Sequence, residues 1–331
     1  MKTKILKKLR NSEDYISGQS LCKELGVSRT AIWKVINQLK EEGYVFDAIQ
    51  NKGYKISEYP DLITKSEIES QLDDNNIIKA VQFFDETDST NTQAKLYAEK
   101  GAADGTLFVA EKQEDGRGRR GHGWISPSGS GIWMTLLLRP DIEPVNASML
   151  TIVSAMAVTD AVKKEAETEG VPLECQIKWP NDVVVNKKKV CGILTEMSAQ
   201  MDVVNYVVIG IGINVNTTEF DESIKATASS LYVETGKHFK RSRLIKYFSE
   251  SFTKYYDRFM KTQNLSDLKD DYNSMLANKN NIVKIINREE TFTGTALGID
   301  DKGELEVVRE DGSHTMIVSG EVSVRGLYGY V

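Results

Sequence analysis

The residues best suited to chemistry lie in two short stretches. The first, residues 111–124, reads Glu-Lys-Gln-Glu-Asp-Gly-Arg-Gly-Arg-Arg-Gly-His-Gly-Trp, with glycines at 116, 118, 121 and 123 and arginines at 117, 119 and 120. Glycines let a backbone approach a ligand closely. Arginine offers planar paired donors that match carboxylate and phosphate. A Gly/Arg loop after an apolar strand at 107–110 therefore suits the gripping of an anion. It lacks the Gly-Lys-Ser/Thr ending of a P-loop, and its charges would obstruct a dinucleotide turn. A basic surface loop or an RNA-binding tract has the same composition.

The second stretch is Lys178-Trp179-Pro180-Asn181-Asp182, followed by three valines, Asn186-Lys187-Lys188 and a returning apolar run. The pattern is a hairpin with a tight turn. Asp182, at the head of the first strand, suits a Mg²⁺ accompanying a nucleoside triphosphate. Lys189 opens the return strand, where its ammonium can enter a pocket, while Lys187 and Lys188 read as a solvated turn. Two smaller signals accompany these. Ser89-Thr90-Asn91 stands ahead of a helix over 92–100 and could cap it, bind a polar ligand head, or both. Asn214 lies at the amide-rich exit of an apolar strand over 206–213. His122, His238 and His314 have no metal-ligand spacing, and no Ser/His/Asp set is evident.

These pieces need a frame. In 331 residues the length prior suggests two or three domains. Residues 1–59 carry eleven Lys and Arg against seven Asp and Glu, a net of +4, whereas the whole chain is at −6. A basic head on an acidic body implies that only the head meets a polyanion. In that head, Leu21 and Leu25 share one helix face and Gly26 supplies a left-handed stop. Ser28 is placed to cap a second helix whose inner stripe is Ile32, Val35, Ile36 and Leu39. Two short helices about such a turn form a helix-turn-helix. Arg29, Thr30, Trp33 and Lys34 lie on the outer face, where a recognition helix presents side chains to the major groove. Strands at 44–49 and 53–56 flank Gln50-Asn51-Lys52, so Lys52 sits on a wing suited to phosphate. A small protein-interaction module has similar geometry.

After a linker at 61–75, with a helix over 64–72, strands and helices mix without strict alternation. Strands are expected at 132–138 and 206–213, helices at 148–166 and 244–260. That order favours α+β with a mixed or antiparallel sheet. From 276 to 331, short strands between Asp/Gly turns, the last at 322–324, suggest a small SH3-like β-barrel. No run reaches the roughly 18–20 apolar residues of a membrane span, and charges interrupt any signal-peptide core near the start. Cys22, Cys175 and Cys191 are isolated, which argues against disulfides and zinc. A cytoplasmic chain without a membrane partner is expected.

Taken together, Ser89-Thr90-Asn91, Gln113 with residues 116–121, residues 178–182, Lys189 with Gly192, and Gly212-Ile213-Asn214 resemble the bifunctional biotin–protein ligase and biotin operon repressor family, in family order. The resemblance spans the chain and implies a winged head at 1–60, a class II synthetase-like α/β catalytic domain at 76–275 and a barrel at 276–331. It implies that biotin and MgATP give biotinyl-5′-AMP, which a lysine of a biotin carboxyl carrier protein of acetyl-CoA carboxylase or pyruvate carboxylase then attacks. By that match Ser89, Thr90, Asn91 and Gln113 hold the ureido end of biotin. Arg117, Gly118 and Arg119 close over biotin and phosphates, and Lys189 bonds the biotin carboxylate. Arg119, Arg120, Trp124 and Asn214 grip the nucleotide, and Asp182 positions Mg²⁺. The head then binds operator DNA through Ser28, Arg29, Thr30, Trp33, Lys34 and Lys52, as a homodimer when the adenylate is bound. Cys191 stands where the family has a small residue and is expected to make the pocket thiol-sensitive. A lipoate ligase and a sensor without turnover are the alternatives.

Overall fold

The computed structural model describes residues 1–49, 52–286, 290–319, 323–326 and 330–331. The expected turn residues Gln50 and Asn51 and the expected strand residue Val322 lie outside these. The chain divides into two compact units, Met1–Asp73 and Asp74–Val331.

The first unit opens with α1 (Lys2–Arg10), α2 (Gly18–Leu25) and α3 (Arg29–Glu41). Gly26 ends α2 in the left-handed region, at φ 66°, which costs a glycine little. The Ser28 hydroxyl accepts from the Ala31 N–H at 3.2 Å and so starts α3. The stripe Ile32, Val35, Ile36 and Leu39 is buried with Ile5, Leu6, Leu9 and Leu21 in one core. β1 (Val45–Ile49) and β2 (Gly53–Glu58) pair antiparallel. The wing is anchored where Ile16 bridges Tyr54.

The helix expected over 64–72 is α4 (Lys65–Gln71), and it belongs to this unit. Its Glu67 is 1% exposed. Both Glu67 carboxylate oxygens lie 2.8 Å from an Arg10 nitrogen, and the Tyr44 hydroxyl donates to one of them at 2.5 Å. Burial, with Glu67 alongside, raises the Tyr44 phenol well above its ordinary pKa. One carboxylate thus ties α1, the entry to β1, and α4 together.

The second unit is built on a seven-stranded sheet. Its elements are β3 (Ala80–Thr87), α5 (Thr90–Glu99), β4 (Thr106–Gln113), β5 (Gly131–Leu138), α6 (Met149–Thr168), β6 (Cys175–Lys178), β7 (Asp182–Val185), β8 (Lys188–Gln200) and β9 (Val203–Asn214). The strand order is β3-β4-β5-β9-β8-β7-β6. Only the β3–β4 pair is parallel, so the sheet is mixed. Asn186 and Lys187 both have positive φ, at 48° and 66°, as a two-residue hairpin turn requires.

α7 (Leu231–Thr235) is a short turn of helix ahead of α8 (Arg241–Thr262). The Arg243 guanidinium on α8 reaches the fully buried Glu165 of α6 at 2.5 Å. The stretch Pro144–Thr168 corrects the sequence expectation, since it is long and apolar enough to cross a membrane, yet most of it is buried inside the protein. Its Ser154 and Thr159 hydroxyls donate to carbonyls one turn back. The buried N-terminal turns are apolar on every side, as a core helix requires, and the charges gather in the last turns, where Lys164 and Glu167 are exposed.

After α9 (Lys269–Met275) come β10 (Ile282–Ile286), β11 (Thr291–Ile299), β12 (Leu305–Arg309), β13 (His314–Ile317) and β14 (Ser323–Gly326). They form a five-stranded antiparallel sheet ordered β13-β12-β11-β10-β14. It is joined to the 178–182 segment where the Trp179 indole donates to the Gly303 carbonyl at 3.0 Å.

Removing Glu67 would strand the Arg10 charge in a largely dry setting. Breaking a buried pair from one side costs about 3–5 kcal/mol. Glu67→Ala is expected to destabilise the first unit by about that much, read as faster hydrogen exchange in α1 and α3 with the mixed sheet unchanged.

Candidate active site

A cavity of about 1400 Å³ in the second unit receives most of the chemically interesting residues. Its floor is the β8–β9 pair, where Gly192 faces Gly212 across the ladder. Trp124 lies over both, because a Cβ built on Gly192 or Gly212 would come within 2.8 or 2.6 Å of its ring. The Trp124 indole N–H is buried without a partner. A buried donor left open in this way is costly unless a ligand takes it.

The Gly/Arg loop leaves β4 and returns beside itself. Trp124 N–H donates to the Gly116 carbonyl at 2.8 Å, and Gly118 N–H donates to the His122 carbonyl at 2.7 Å. Gly116 must be bare, since a Cβ there would lie 2.2 Å from the Trp124 carbonyl oxygen. The three arginines separate in function. Arg119 points inward, and its Nη1 donates to Asn181 Oδ1 at 2.7 Å. Arg117 is exposed and pairs with Asp115 at 2.8 Å. Arg120 is exposed on the rim, in the left-handed region at φ 59°.

At one end of the cavity, charge converges on Asp182. The Lys189 ammonium lies 2.6 Å from Asp182 Oδ1, and the Tyr330 hydroxyl donates to Oδ2. Lys178 is 6% exposed, and its ammonium sits 3.8 Å from the Tyr330 ring centre. Burial first, against the pull of Asp182 and with the help of the nearby cations Lys189, Arg325 and Arg119, lowers the Lys178 pKa to about 8. Burial also raises the Tyr330 phenol, as does Asp182. Among the described residues no group of three or more His, Cys, Asp or Glu could hold a metal by itself. A single buried carboxylate in a cation-lined end fits a magnesium ion that arrives on a polyphosphate, since that ion keeps water and phosphate oxygens as its other ligands.

The other end is polar and close-packed. Ser89 stands at the N-terminus of α5, but its hydroxyl makes no capping bond; the Ser89 N–H is taken by Asp88. Gln113 Oε1 accepts from the Thr90 N–H at 2.8 Å and its hydroxyl at 2.9 Å, while Gln113 Nε2 donates to Ser126. Asn91 lies against Gly210, where a Cβ would come within 2.1 Å of its amide oxygen. Asn214 donates to the Ser229 carbonyl at the far rim.

The structure thus brings Ser89, Thr90, Asn91, Gln113, Gly118, Arg119, Trp124, Asp182, Lys189 and Asn214 to one cavity, with Arg117 and Arg120 on its rim. Cys191 is fully buried, and burial pushes its thiol well up. It is a poor nucleophile, so the expectation of a thiol-sensitive pocket does not hold. Around the cavity, Lys178 and Asn181 belong to the second stretch but have no role assigned from sequence, and Thr135, Glu196 and Tyr330 lie outside both stretches. Thr135 is the one hydroxyl in the apolar strand β5, which was a usable signal. Tyr330, 148 residues from Asp182, gave none. In the first unit Arg29, Thr30, Trp33, Lys34 and Lys52 are exposed, with Trp33 58% exposed; Ser28 is used as the cap.

Fold and cavity define a ligase-type adenylating site, and comparison with known proteins agrees. Residues 83–214 match the model of the biotin/lipoate A/B protein ligase family, residues 2–55 that of an HTH domain, and residues 280–325 that of the biotin protein ligase C-terminal domain. The bifunctional ligase/repressor BirA of Bacillus subtilis is 38% identical over 301 residues, covering 90% of this chain and 91% of the relative. That of Escherichia coli is 29% identical over 334 residues, covering 97% and 96%. The biotin protein ligase of Aquifex aeolicus, solved with biotin and ATP, superposes with a TM-score of 0.64 at 31% identity, covering 75% of this chain and all of that one. The chain belongs to the bifunctional biotin ligase/repressor family.

Lys178 supplies a pH test. Its depressed pKa means that the buried ammonium loses its proton near pH 8, below the value of an exposed lysine. Below that pH the cation is present and attracts anions, and above it the attraction is lost. ATP affinity is expected to fall as pH rises through about 8, measured by calorimetry. Lys178→Arg should flatten the profile, because arginine stays charged.

Proposed function

We propose that this chain is an ATP-dependent biotin–protein ligase that also represses transcription in response to biotin. The observation that carries the reading is a single cavity with a neutral hydrogen-bonding end at Thr90, Asn91 and Gln113 and a cationic end at Arg119, Lys178 and Lys189. Biotin has the same two ends, a ureido ring and a carboxylate.

In the first step the biotin carboxylate attacks the α-phosphorus of ATP and pyrophosphate leaves, giving biotinyl-5′-AMP. In the second, the amine of an acceptor lysine attacks the acyl carbon and AMP leaves. Ser89, Thr90, Asn91 and Gln113 hold the ureido end, and Arg117 and Gly118 close over the ligand. Lys189 bonds the carboxylate and stabilises charge that develops in both steps, while Arg119 does the same at the phosphates. Trp124 and Asn214 grip the adenylate, with Arg120 at the rim. Asp182 would hold the magnesium ion, which neutralises phosphate charge. Biotin's approach to Lys189 requires that lysine to leave its pairing with Asp182, whose carboxylate would then be open to the ion.

The acceptor is the biotin carboxyl carrier protein of acetyl-CoA carboxylase or pyruvate carboxylase, and the place of action is the cytoplasm. In the same reading the divisions are a winged head at 1–60, a connecting segment at 61–75 whose α4 belongs to the same compact unit as the head, a class II synthetase-like domain at 76–275 and an SH3-like barrel at 276–331. The winged head binds operator DNA through Arg29, Thr30, Trp33, Lys34 and Lys52. Adenylate occupancy favours a homodimer that matches a palindromic operator. Unmodified acceptor consumes the adenylate and relieves repression.

Biotin-dependent exchange of pyrophosphate into ATP tests the first step. Lys189→Ala and Arg119→Ala should each lower it about a hundredfold or more, the usual scale for one lost electrostatic donor. No exchange in the parent would leave a sensor without turnover, and exchange with lipoate alone would make it a lipoate ligase. Footprinting on DNA flanking biotin genes should show protection that strengthens when biotin and ATP are added. Equal protection with and without them would rule out the coupling.

A further inference from the structure

Beside the ligand-facing groups runs a chain of hydrogen bonds, buried at Thr90, Asn91 and Thr135 and partly exposed at Glu196 and Lys95, that no role above uses. Glu196 on β8 faces Asn91 on α5, and Glu196 Oε2 accepts from Asn91 Nδ2 at 2.8 Å. Its other oxygen accepts from the Lys95 ammonium at 2.9 Å. Burial works to raise the Glu196 pKa, but the bonds from Asn91 and Lys95 outweigh it and hold the carboxyl below its usual range.

An ionised carboxylate can only accept, and so can the Leu194 carbonyl 3.4 Å from the same amide nitrogen. The Asn91 amide therefore has one permitted orientation, with Oδ1 turned the other way. There it meets the Thr135 hydroxyl at 2.6 Å. Thr135 is 0% exposed and sits in the middle of an apolar strand. Since an amide oxygen cannot donate, the single Thr135 proton goes to Asn91. Thr135 Oγ1 lies 2.8 Å from Thr90 Oγ1, so in that pair Thr135 is left as the acceptor. The Thr90 proton is then confined to Thr135 or Gln113 Oε1, and the lone pairs of Thr90 Oγ1 are the part left for a ligand.

We propose that Glu196 and Thr135 are positioning residues which, through Asn91, fix Thr90 as a hydrogen-bond acceptor for a ligand N–H group. This deepens the reading above and rests on it, since the ureido ring of biotin carries two such N–H groups. The carboxylate supplies the direction, and the hydroxyl relays it across the floor of the cavity. Neither residue needs to touch the ligand.

The test uses the full chain with Thr135→Val, Thr135→Ser and Glu196→Gln. Valine keeps the shape of threonine and removes the donor. Glutamine keeps the shape of glutamate but can set an amide N–H₂ against that of Asn91, which frees the Asn91 amide to turn. Biotin binding without ATP, measured by calorimetry, should weaken about tenfold or more in Thr135→Val and Glu196→Gln, the scale of one stranded buried polar group. Thr135→Ser should stay within about twofold of the parent, as the serine hydroxyl can make the same bond. KM for ATP at saturating biotin should not move. If Thr135→Val does not fold, Glu196→Gln decides alone. Binding within about twofold in both disruptive variants, or a matching loss for ATP, would overturn the positioning role. A parent that binds no biotin would overturn both this inference and the ligase reading, whereas a parent that binds with insensitive variants overturns only this one.

Discussion

The site depends on bare backbone where two strands meet. Gly192 and Gly212 face each other across β8 and β9, and the Trp124 ring lies over both. Gly210, two residues earlier on β9, is where Asn91 packs. A methyl group at any of the three would meet an indole or an amide well inside contact distance. Glycines weaken a strand, and here the weakness is offset by the long β8–β9 ladder and by β5 on the far side of β9. The strand pair is therefore both the scaffold and the floor, and its bare glycines let the Trp124 ring and the Asn91 amide pack directly onto the backbone.

On that floor the two ends of the cavity are kept chemically apart. The polar end is neutral toward the ligand, although a carboxylate stands behind it. The cationic end holds Arg119, Lys178 and Lys189 near a single carboxylate, Asp182, which Tyr330 also touches. Such a cluster is under-neutralised by design of charge count, and an incoming anion completes it. Burial strengthens each of these interactions because little water screens them. The loop that carries Arg119 uses its other two arginines differently, since both are exposed. Composition alone gives three equivalent arginines, but the turn at Arg120 makes them inequivalent.

The first unit follows a separate logic. Its core is made by the inner faces of three helices and the wing, so the outer face of α3 is released for another surface. The buried Glu67 adds α4 to this unit. A sequence view reads there a linker with a short helix over 64–72. The structure shows a helix held by an ion pair, because Arg10 and Tyr44 come from sites far along the chain.

Local physics was enough for much of this protein. The turn at Gly26, the cap at Ser28 and the periodicity of α3 wrote the helix-turn-helix. The apolar runs wrote β5 and β9, and the Gly/Arg loop announced an anion site. Lys189 and Asp182 were legible because each stands at the start of a strand of the hairpin, β8 and β7, next to a pocket-facing segment. Tertiary structure alone decided which arginine enters the cavity, that Tyr330 reaches Asp182, and that Glu196 and Thr135 stand behind Asn91. It also decided that an apolar helix of membrane-like length is a core helix, since burial depends on what packs around it. Residue type and spacing set which contacts are possible; only the folded sheet brings together groups separated by scores of residues, and that proximity fixes charge, orientation and access.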